Sequence, residues 1–320
     1  MKAMLLAAGT GSRLRPLTDT VPKPLAPIAN SPLLFRTLSW LAGEGITEVM
    51  INLHHHADKI RAAIGDGDKL GILVRYSVEE DLLGTSGAVG KCAEFFQEEP
   101  FFVIYGDNLI DAELKPLFDF HRSRHAAATI ALFVPDDPSA SGMVELDESG
   151  KVSRFVEKPK PGKTDATMAN AGIYVLDPGL LTAIPYGFSD FGHDIFPTWL
   201  KDGRPVYADE LRGYLQDTGT PDRYRKANWD VMSGKLRMRP HGGMVGDALI
   251  GNRSFVSPSA VLTARNIVGS DCRVGDGSRL EGCILWDRVS IGRNCELSQV
   301  VVGEGALVAD GTVAADTILV

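Results

Sequence analysis

From residue 250 onward the chain places an apolar side chain at every sixth position, and this period limits the possible folds more than any other feature of the sequence. The period continues through two shorter steps of five residues. Its positions are Ile250, Val256, Leu262, Val268, Val274, Leu280, Leu285, Ile291, Leu297, Val302, Val308 and Ala314. Hexapeptide repeats of this kind are typical of a parallel β-helix, in which each such residue points into the coil.

Small side chains recur four residues after many of these positions, and they include Cys272 and Cys295. Both cysteines are therefore expected to pack inside the repeat rather than to bind a metal. The repeat resembles the left-handed β-helix family, in which three hexads form one coil, and this implies about four coils. The final coil ends in the apolar residues Ile318–Val320. We predict that it packs on another subunit or on the N-terminal domain, and that the β-helix makes the protein a homo-oligomer.

The first apolar run of the chain, Met4–Ala8, is followed by a glycine-rich loop and by three cationic side chains. Glycines in the loop Gly9–Gly11 let backbone N–H groups approach an anion closely. Arg13 and Arg15 add guanidinium groups and Lys23 adds an ammonium group, and both kinds of cation bind phosphate oxygens. The segment from Leu6 to Leu25, here called the signature loop, is therefore predicted to bind a polyphosphate.

Two common phosphate-binding motifs do not fit the signature loop. A dinucleotide-binding loop needs Gly-x-Gly-x-x-Gly, but Leu14 stands at the third glycine position. A P-loop needs Gly-x-x-x-x-Gly-Lys followed by Ser or Thr, and the sequence has no such string. A glycine turn beside two surface arginines is the alternative interpretation of Gly9–Gly11 alone.

Strand-like and helix-like segments alternate through the N-terminal part of the chain. The predicted strands are Ala3–Ala7, Glu48–Leu53, Ile72–Ser77, Phe101–Tyr105 and Ala128–Val134. The predicted helices lie near Pro32–Gly43, Ala57–Ile64, Ser86–Phe96 and Leu114–Arg124, and again near Ile195–Lys201 and Thr220–Ser233. This order predicts an α/β, Rossmann-like domain with a mixed, mainly parallel sheet covered on both faces. Short β runs between Met143 and Ile173 predict a small β-rich lobe over the sheet edge.

Composition excludes several classes of protein. The chain has 320 residues, 44% of them hydrophobic and 23% charged, which is ordinary for a globular protein of two domains. A formal net charge of −8 argues against nucleic-acid binding. No apolar stretch is long enough for a membrane span, and no signal peptide is expected. The four cysteines lack Cys-x-x-Cys spacing, so we expect a reduced, cytoplasmic protein.

Two aspartates are candidates for holding a divalent cation. Asp107 follows the strand Phe101–Tyr105, and ligands bind at the carboxyl ends of strands in open α/β sheets. Asp217 precedes Thr220, which fits the N-cap of a helix that starts at Pro221, so we expect Asp217 to be free for a metal. The alternative role of either aspartate is a turn or a cap.

The signature loop resembles that of the sugar-1-phosphate nucleotidylyltransferases. In that family Leu-Ala-Ala/Gly-Gly-x-Gly-x-Arg-Leu-x-Pro-Leu-Thr precedes Pro-Lys-Pro-Leu, and this chain carries both strings. Five further family motifs follow in order, and the resemblance covers residues 1 to 230. The matching segments are Leu83–Ala88, Gly106–Asp107, Glu157–Pro159, Asn170–Tyr174 and Asp217–Pro221.

The resemblance implies that a sugar 1-phosphate attacks the α-phosphorus of a nucleoside triphosphate, which releases pyrophosphate and forms an NDP-sugar. The implied catalytic residues are Arg13 and Lys23, which would bind the triphosphate and stabilise the transition state, together with Asp107. Asp107 and Asp217 would hold Mg²⁺ on the phosphates. These roles are expectations that rest on the family resemblance alone.

The resemblance also implies two substrate pockets. The expected nucleotide-binding residues are Leu6, Ala8, Gly9, Gly11, Arg13, Lys23, Glu80 and Gly84. The sugar phosphate is expected in the β-rich lobe, at Gly142, Glu157, Lys158 and Asn170. Lys158 would bind the phosphate and Glu157 the sugar hydroxyls.

Details of these motifs bear on the choice of substrates. Family members often carry Trp where this chain has Leu215, so the contact made there is in question. Leu83–Ala88 resembles guanylyltransferases, whereas Gly106–Asn108 resembles thymidylyltransferases. The segment Asp190–Pro197 and the β-helix resemble mannose-1-phosphate guanylyltransferases. We therefore favour GTP and mannose 1-phosphate, with a glucose-1-phosphate thymidylyl- or uridylyltransferase as the alternative.

Two other classes of protein are considered. Acyltransferases with hexapeptide repeats commonly use a histidine base, but no histidine follows His241. A non-catalytic regulatory homologue that binds NDP-sugar would keep the fold and lose the chemistry, whereas Arg13, Lys23, Asp107 and Asp217 are all present. The predicted domains are 1–232 (catalytic), 233–248 (linker) and 249–320 (β-helix).

Overall fold

The structure, a computed structural model, describes residues 1–160 and 162–320. The strands before residue 218 are β1 (Lys2–Leu6), β2 (Pro27–Ile28), β3 (Ser31–Pro32), β4 (Glu48–Leu53), β5 (Leu73–Val78), β6 (Phe101–Tyr105), β7 (Asn108–Ala112), β8 (Ala128–Phe133), β9 (Gly142–Leu146), β10 (Val152–Glu157), β11 (Ala169–Leu176), β12 (Val206–Glu210) and β13 (Gly213–Asp217). The α-helices are α1 (Leu17–Thr20), α2 (Leu33–Gly43), α3 (Ala57–Ile64), α4 (Gly84–Lys91), α5 (Lys115–Ser123), α6 (Phe196–Lys201) and α7 (Pro221–Met232).

The C-terminal part of the chain contains only short strands. They are β14 (Gly243–Val245), β15 (Ala248–Ile250), β16 (Phe255–Val256), β17 (Val261–Thr263), β18 (Asn266–Val268), β19 (Arg273–Val274), β20 (Arg279–Glu281), β21 (Ile284–Leu285), β22 (Ser290–Ile291), β23 (Glu296–Ser298), β24 (Val301–Val302), β25 (Leu307–Val308), β26 (Val313–Ala315) and β27 (Ile318–Leu319).

Contacts divide the chain into two units. The first unit contains Met1–Gly9 and Thr37–Leu215, and the second contains Thr10–Arg36 and Gln216–Val320. The signature loop therefore begins in the first unit and continues in the second. The predicted sequence domains, with boundaries at residues 232 and 249, stay a prediction. Within the described residues, no helix is both long enough and apolar enough to cross a membrane.

The first unit is built on a nine-stranded sheet. Strands β6, β1, β4 and β5 are neighbours and run parallel, and β11 joins the other side of β6 in the antiparallel direction. β8 pairs with β11 and with β12, while β9 and β10 form an antiparallel pair that extends the sheet at its edge. The β-rich segment thus continues the main sheet, and the prediction of a mixed, mainly parallel α/β sheet is confirmed.

The sheet of the first unit is covered on both faces. Phe101 and Phe102 are neighbours in β6 and therefore point to opposite faces. The ring of Phe101 stacks on Phe96 with centroids 4.1 Å apart, and the ring of Phe102 lies 5.8 Å from that of Phe118 in α5. Both β6 side chains are fully buried. A strand that is apolar on both faces is the kind of strand that a parallel sheet needs.

The second unit contains the parallel β-helix predicted from the period of six. Its parallel ladders pair residues 18 or 17 positions apart, as in Val256, Val274, Ile291 and Val308. A spacing of 18 equals three hexads, and the spacing of 17 reflects the two steps of five. The predicted inward residues from Val268 to Val308 form one buried core, which also contains Cys272, Cys283 and Cys295.

The last two coils of the β-helix contact residues from the predicted catalytic domain. The guanidinium of Arg225 in α7 donates to Gln299 O at 2.8 Å and lies 3.4 Å from a carboxylate oxygen of Asp316. A Cβ atom added at Gly303 would lie 3.2 Å from Leu17 Cδ2. These contacts lie within the second unit. They confirm the predicted contact of the final coil with the N-terminal part of the chain. The predicted contact with another subunit stays a prediction.

Candidate active site

The carboxyl ends of β1 and β6 lie side by side in the first unit. Gly106 N–H donates to Leu6 O at 2.9 Å, and a Cβ atom at Gly106 would lie 2.9 Å from the same oxygen. A residue without a side chain is therefore needed at this position. Asp107 follows directly and is half-buried. The structure thus places Asp107 beside the strand end that leads into the signature loop, as the sequence predicts.

A buried carboxylate connects the start of the signature loop to the turn at Gly84. Glu79 is 3% exposed, and its carboxylate accepts hydrogen bonds from Leu83 N–H at 3.0 Å and from the amide of Asn52 at 2.8 Å. The Asn52 carbonyl oxygen accepts from Ala7 N–H at 2.8 Å. Two backbone segments that are expected to contact the nucleotide are thereby held together by two side chains.

The residues of the nucleotide pocket differ in exposure. Gly9 and Glu80 are exposed, Ala8 is buried, and Leu6 and Gly84 are half-buried. Within the described residues, a Cβ atom at Gly9 would meet no atom closer than 4 Å. Packing therefore does not require glycine at position 9, and space for a ligand remains beside it.

The second unit holds the cationic part of the signature loop. Gly11 has a φ of 64°, and its carbonyl accepts a hydrogen bond from the Thr18 hydroxyl at 2.9 Å. A Cβ atom at Gly11 would lie 3.0 Å from the Cβ of Lys23, so glycine allows both the backbone conformation and the close packing. The 3-10 turn Ser12–Leu14 leaves Arg13 exposed, whereas Lys23 is only 6% exposed.

Two cationic side chains, Arg223 and Lys23, pair with the carboxylate of Asp217, and Arg13 lies beside the neighbouring Gly219. One oxygen lies 2.5 Å from Arg223 Nη1, and the other accepts from Gly219 N–H at 2.6 Å and lies 3.9 Å from Lys23 Nζ. A Cβ atom at Gly219 would lie 2.5 Å from Arg13 Nη2, so the Arg13 guanidinium lies directly against this glycine. All of these residues belong to the second unit.

The expectation that Asp217 is free is therefore wrong. Thr220 does cap α7, since its hydroxyl accepts from Arg223 N–H at 3.4 Å. The same cap places Arg223 in the first turn of α7, where its guanidinium reaches Asp217. The half-buried carboxylate of Asp217 is thus engaged in ion pairs with Arg223 and Lys23.

The predicted sugar-phosphate residues Glu157 and Lys158 lie at the end of β10. Lys158 Nζ is 3.7 Å from a Glu157 carboxylate oxygen, and the lysine side chain is exposed. A Cβ atom at Gly142 would lie 2.6 Å from the other oxygen of Glu157, and one at Gly192 would lie 3.0 Å from it. The two glycines thus make room for the Glu157 carboxylate. The structure brings Gly142, Glu157 and Lys158 together.

Asn170 is held by hydrogen bonds within the first unit. Its amide N–H donates to the Tyr174 hydroxyl at 2.8 Å, and its carbonyl oxygen accepts from Gly172 N–H at 2.8 Å. The Tyr174 hydroxyl donates to the Tyr105 hydroxyl at 3.2 Å. Burial raises the pKa of both tyrosines above its ordinary value, so both hydroxyls remain protonated. This chain connects Asn170 to the end of β6, directly before Gly106.

The first turn of α4 is tied to the segment that begins at Asp190. The Thr85 hydroxyl donates to Asp190 Oδ2 at 2.8 Å and accepts from Phe191 N–H at 2.9 Å. The other Asp190 oxygen accepts from Gly192 N–H at 2.9 Å and caps the π-helical turn Phe191–Ile195. Asp190 thus holds the backbone at Gly192, which lies against Glu157.

Sequence reasoning missed Asn52, Glu79, Tyr105 and Arg223. Glu79 belongs to the polar run Glu79–Asp81, which the sequence places beside the base or in solvent, and nothing in the run marks Glu79 as buried. Arg223 had one signal: it lies in the first turn of a predicted helix, three residues after the predicted cap. Its distance to Asp217 depends on the fold of the preceding turn, which residue pattern does not reveal.

The donor set determines how a metal could bind. Within residues 1–160 and 162–320, no three His, Cys, Asp or Glu side chains are grouped as metal ligands. Mg²⁺ in nucleotide sites is commonly held by one or two carboxylates together with substrate phosphates. Asp107 and Asp217 each offer hard carboxylate oxygens, and cations already surround Asp217. These residues fit Mg²⁺ that binds together with phosphate, and not a metal held by protein alone.

Comparisons with known proteins match both parts of the chain to family models. A family model described as nucleotidyl transferase matches residues 2–234, and one described as GlmU-like, C-terminal hexapeptide, matches residues 236–316. A mannose-1-phosphate guanylyltransferase from Mycobacterium tuberculosis is 35% identical over 299 residues, which cover 93% of this chain and 83% of the relative. A UTP–glucose-1-phosphate uridylyltransferase from Synechocystis is 31% identical over 337 residues, covering 94% and 87%.

A solved structure has a fold similar to that of this chain. HddC from Yersinia pseudotuberculosis superimposes with a TM-score of 0.62 at 26% sequence identity. The match covers 72% of this chain and 98% of that chain.

Proposed function

The chain belongs to the nucleotidyl transferase family, and from this premise we propose that it transfers a nucleotidyl group from a nucleoside triphosphate to a sugar 1-phosphate. The products are an NDP-sugar and pyrophosphate. The observation that carries the proposal is that Arg13, Lys23 and Arg223 lie together at the turn from Asp217 to Gly219, beside the loop that resembles the family signature. Such a cluster suits a triphosphate because its cations outnumber its carboxylates.

The reaction needs charge neutralisation and alignment more than a base. The attacking oxygen belongs to a sugar phosphate that is already ionised, so no proton has to be removed from it. It forms a bond to the α-phosphorus while the bond from that phosphorus to the bridging oxygen of pyrophosphate breaks. Arg13 is exposed and Lys23 is buried beside Asp217, and both stabilise the negative charge that develops on the leaving pyrophosphate.

The other substrate is positioned by residues of the first unit. Lys158 binds the phosphate of the sugar 1-phosphate, and Glu157 accepts hydrogen bonds from sugar hydroxyls. Gly142 leaves space beside the Glu157 carboxylate, and Asn170 is held in a fixed orientation by Tyr174 and Gly172. A fixed polar group loses little entropy when it binds a sugar.

We propose Mg²⁺ as the cofactor, with Asp107 in the first unit and Asp217 in the second each a candidate carboxylate ligand. When bound, the ion neutralises phosphate charge and orients the triphosphate. The chain contributes carboxylate oxygens, while Arg13 and Lys23 supply the remaining positive charge. Replacing Asp107 by Ala should abolish pyrophosphate release, with the wild type as the comparison.

GTP and mannose 1-phosphate are the proposed substrates. Relatives that are named mannose-1-phosphate guanylyltransferase include proteins from Mycobacterium tuberculosis and Arabidopsis thaliana. The uridylyltransferase from Synechocystis keeps the glucose-1-phosphate alternative open. A matrix of four nucleoside triphosphates against mannose, glucose and N-acetylglucosamine 1-phosphates, read by pyrophosphate release, tests the choice. The highest kcat/KM is expected for GTP with mannose 1-phosphate, and a clear preference for another pair would overturn this assignment.

A non-catalytic homologue that binds NDP-sugar is the second candidate. It predicts binding of GDP-mannose without pyrophosphate release for any substrate pair. Wild-type protein that releases no pyrophosphate, yet binds GDP-mannose in calorimetry, would favour this candidate over the enzyme.

We also propose a cytoplasmic homo-oligomer that assembles through the β-helix. Leu307 and Val313 on its last strands are 83% and 74% exposed, and Val320 after the last strand is 69% exposed. Exposed apolar side chains next to strand edges favour association. All four cysteines are free and buried, which suits a reducing compartment. Light scattering of a Leu307→Asp, Val313→Asp variant tests the assembly. A smaller particle than the wild type is expected, and an unchanged mass would contradict this interface.

A further inference from the structure

Arg223 is a cation at the site to which the family resemblance assigns no role. It lies in the first turn of α7, and its side chain is 33% exposed. Resting on the proposed function, we propose that Arg223 is a third phosphate-binding cation, which Asp217 holds in place while no nucleotide is bound.

The ion pair leaves most of the Arg223 guanidinium unused. Within the part of the chain that the structure describes, the guanidinium makes one hydrogen bond, from Nη1 to Asp217 Oδ2 at 2.5 Å. A guanidinium has five N–H donors in a planar fork, which matches two oxygens of a phosphate. The remaining N–H groups of Arg223 can therefore donate hydrogen bonds to a second anionic partner.

The charges around Asp217 favour an anionic ligand. Arg13, Lys23 and Arg223 carry three positive charges, and Asp217 carries one negative charge. The cluster has an excess of positive charge before any ligand binds. Phosphate oxygens bring more negative charge than a single carboxylate does, so they compete effectively for Arg223.

A divalent cation and Arg223 compete for the same carboxylate. Arg223 is paired with Oδ2 of Asp217, and Oδ1 already accepts a hydrogen bond from Gly219 N–H at 2.6 Å. A metal that binds Oδ2 of Asp217 must therefore replace the arginine, whose donors then become available beside Arg13 and Lys23. Removal of the Arg223 charge should strengthen the binding of a metal in the absence of phosphate. The same change should weaken the binding of phosphate. A purely structural role would weaken both, because a damaged site loses both ligands.

The test measures two affinities of the intact protein by calorimetry. One probe is Mn²⁺ alone, and the other is inorganic pyrophosphate in the presence of Mg²⁺. Arg223→Gln is expected to bind Mn²⁺ several-fold more tightly and pyrophosphate about tenfold more weakly than the wild type. Arg223→Lys keeps the charge, and both of its affinities are expected to lie between those of Arg223→Gln and the wild type. Arg293→Gln is the control, because it removes an arginine from another Arg–Asp pair of the second unit, and it should match the wild type.

A second measurement tests whether the ion pair with Asp217 keeps Arg223 from binding pyrophosphate. In EDTA, Asp217→Asn should bind pyrophosphate more tightly than the wild type, because the arginine is released. Arg223→Gln added to Asp217→Asn should remove this gain, which a double-mutant cycle quantifies.

The proposal would be supported if Arg223→Gln binds Mn²⁺ more tightly and pyrophosphate more weakly than the wild type. It also requires that the double variant does not show the tighter pyrophosphate binding of Asp217→Asn. Unchanged or weaker Mn²⁺ binding by Arg223→Gln, with wild-type pyrophosphate affinity, would overturn it and leave the proposed function intact. A wild-type protein that binds no pyrophosphate with Mg²⁺ would overturn the proposed function as well.

Discussion

The indole N–H of Trp286 donates a hydrogen bond to the hydroxyl of Tyr224 across 2.9 Å, which links a coil of the β-helix to α7. The Tyr224 hydroxyl in turn donates to Pro27 O, and Asn228 in the same helix accepts from Ala29 N–H at 2.7 Å. The segment that follows the catalytic candidate Lys23 is thus held by α7 and, through it, by the β-helix. The repeat therefore has a role within the chain, apart from any contact between chains.

Trp286→Phe should weaken this connection, because it removes the indole N–H and keeps only a smaller aromatic ring. The Tyr224 hydroxyl loses one buried partner and a cavity forms at this buried position, so the free energy of unfolding should fall by about 1–3 kcal/mol. The KM for nucleotide should rise several-fold, because the segment after Lys23 is less restrained. Urea unfolding and steady-state kinetics measure both effects. Trp229→Phe, on α7 itself, is the control and should leave the KM unchanged. An unchanged KM in the Trp286 variant would remove the positioning role.

Glu79→Gln should destabilise the first unit, whereas Glu80→Gln should not. The amide that replaces the Glu79 carboxylate turns a donor toward Leu83 N–H or toward the Asn52 amide, and leaves a buried donor unpaired. The expected cost is about 1–3 kcal/mol, with a higher KM for nucleotide. Glu80 is exposed, so its variant should change stability by less than about 0.5 kcal/mol. Equal stabilities of the two variants would contradict the role given to Glu79.

His121 should make the stability depend on pH. Burial lowers its pKa from 6.5 to about 4, and its ring lies 2.9 Å from the Thr129 hydroxyl. The unfolded chain binds a proton more readily, so this contribution to stability is complete above pH 6.5 and is lost as pH falls toward 4. The loss amounts to about 3 kcal/mol at most.

Urea unfolding of His121→Gln at pH 7 and pH 4.5 measures this effect. The variant should lose less stability between these pH values than the wild type does. His125→Gln, at an exposed position nearby, should keep the wild-type dependence. The same dependence in the wild type and the His121 variant would show that His121 is not responsible.

Gly172→Ala should disturb the link between Asn170 and Tyr105. Gly172 has a φ of 69°, and a Cβ atom there would lie 2.8 Å from Tyr105 Cγ. Gly203 has a similar φ of 71°, but a Cβ atom there would meet no described atom within 4 Å. Gly203→Ala should cost about 1 kcal/mol from backbone strain alone, and Gly172→Ala about 2 kcal/mol more. Thermal unfolding compares the two variants, and equal losses would mean that Tyr105 moves away without cost.

Local patterns predicted much of the fold. β4, β6 and α3 begin and end at the predicted residues, because each is bounded by a change in apolar periodicity. The inward residues of the β-helix were predictable for the same reason. The short strands β2, β3 and β7 were not, since their pairing depends on contacts between distant segments. The antiparallel direction of β11 is likewise decided by its neighbours β6 and β8.

The site was predicted in its residue types and less well in its contacts. The resemblance assigned Arg13, Lys23 and Asp217 from motifs, and the structure brings these three residues together. The ion pair of Asp217 with Arg223 could not be read from sequence, because it depends on how the turn before α7 folds. The roles of these residues in nucleotidyl transfer stay predictions.

The most direct test of nucleotidyl transfer is a ³¹P NMR time course with GTP, mannose 1-phosphate and Mg²⁺. The reaction should consume both substrates in equal amounts and form pyrophosphate and a sugar-linked diphosphate at the same rate. Formation of orthophosphate or GDP without loss of the sugar phosphate would indicate hydrolysis. That result, or unchanged spectra with every nucleotide and sugar phosphate tried, would contradict the proposed activity.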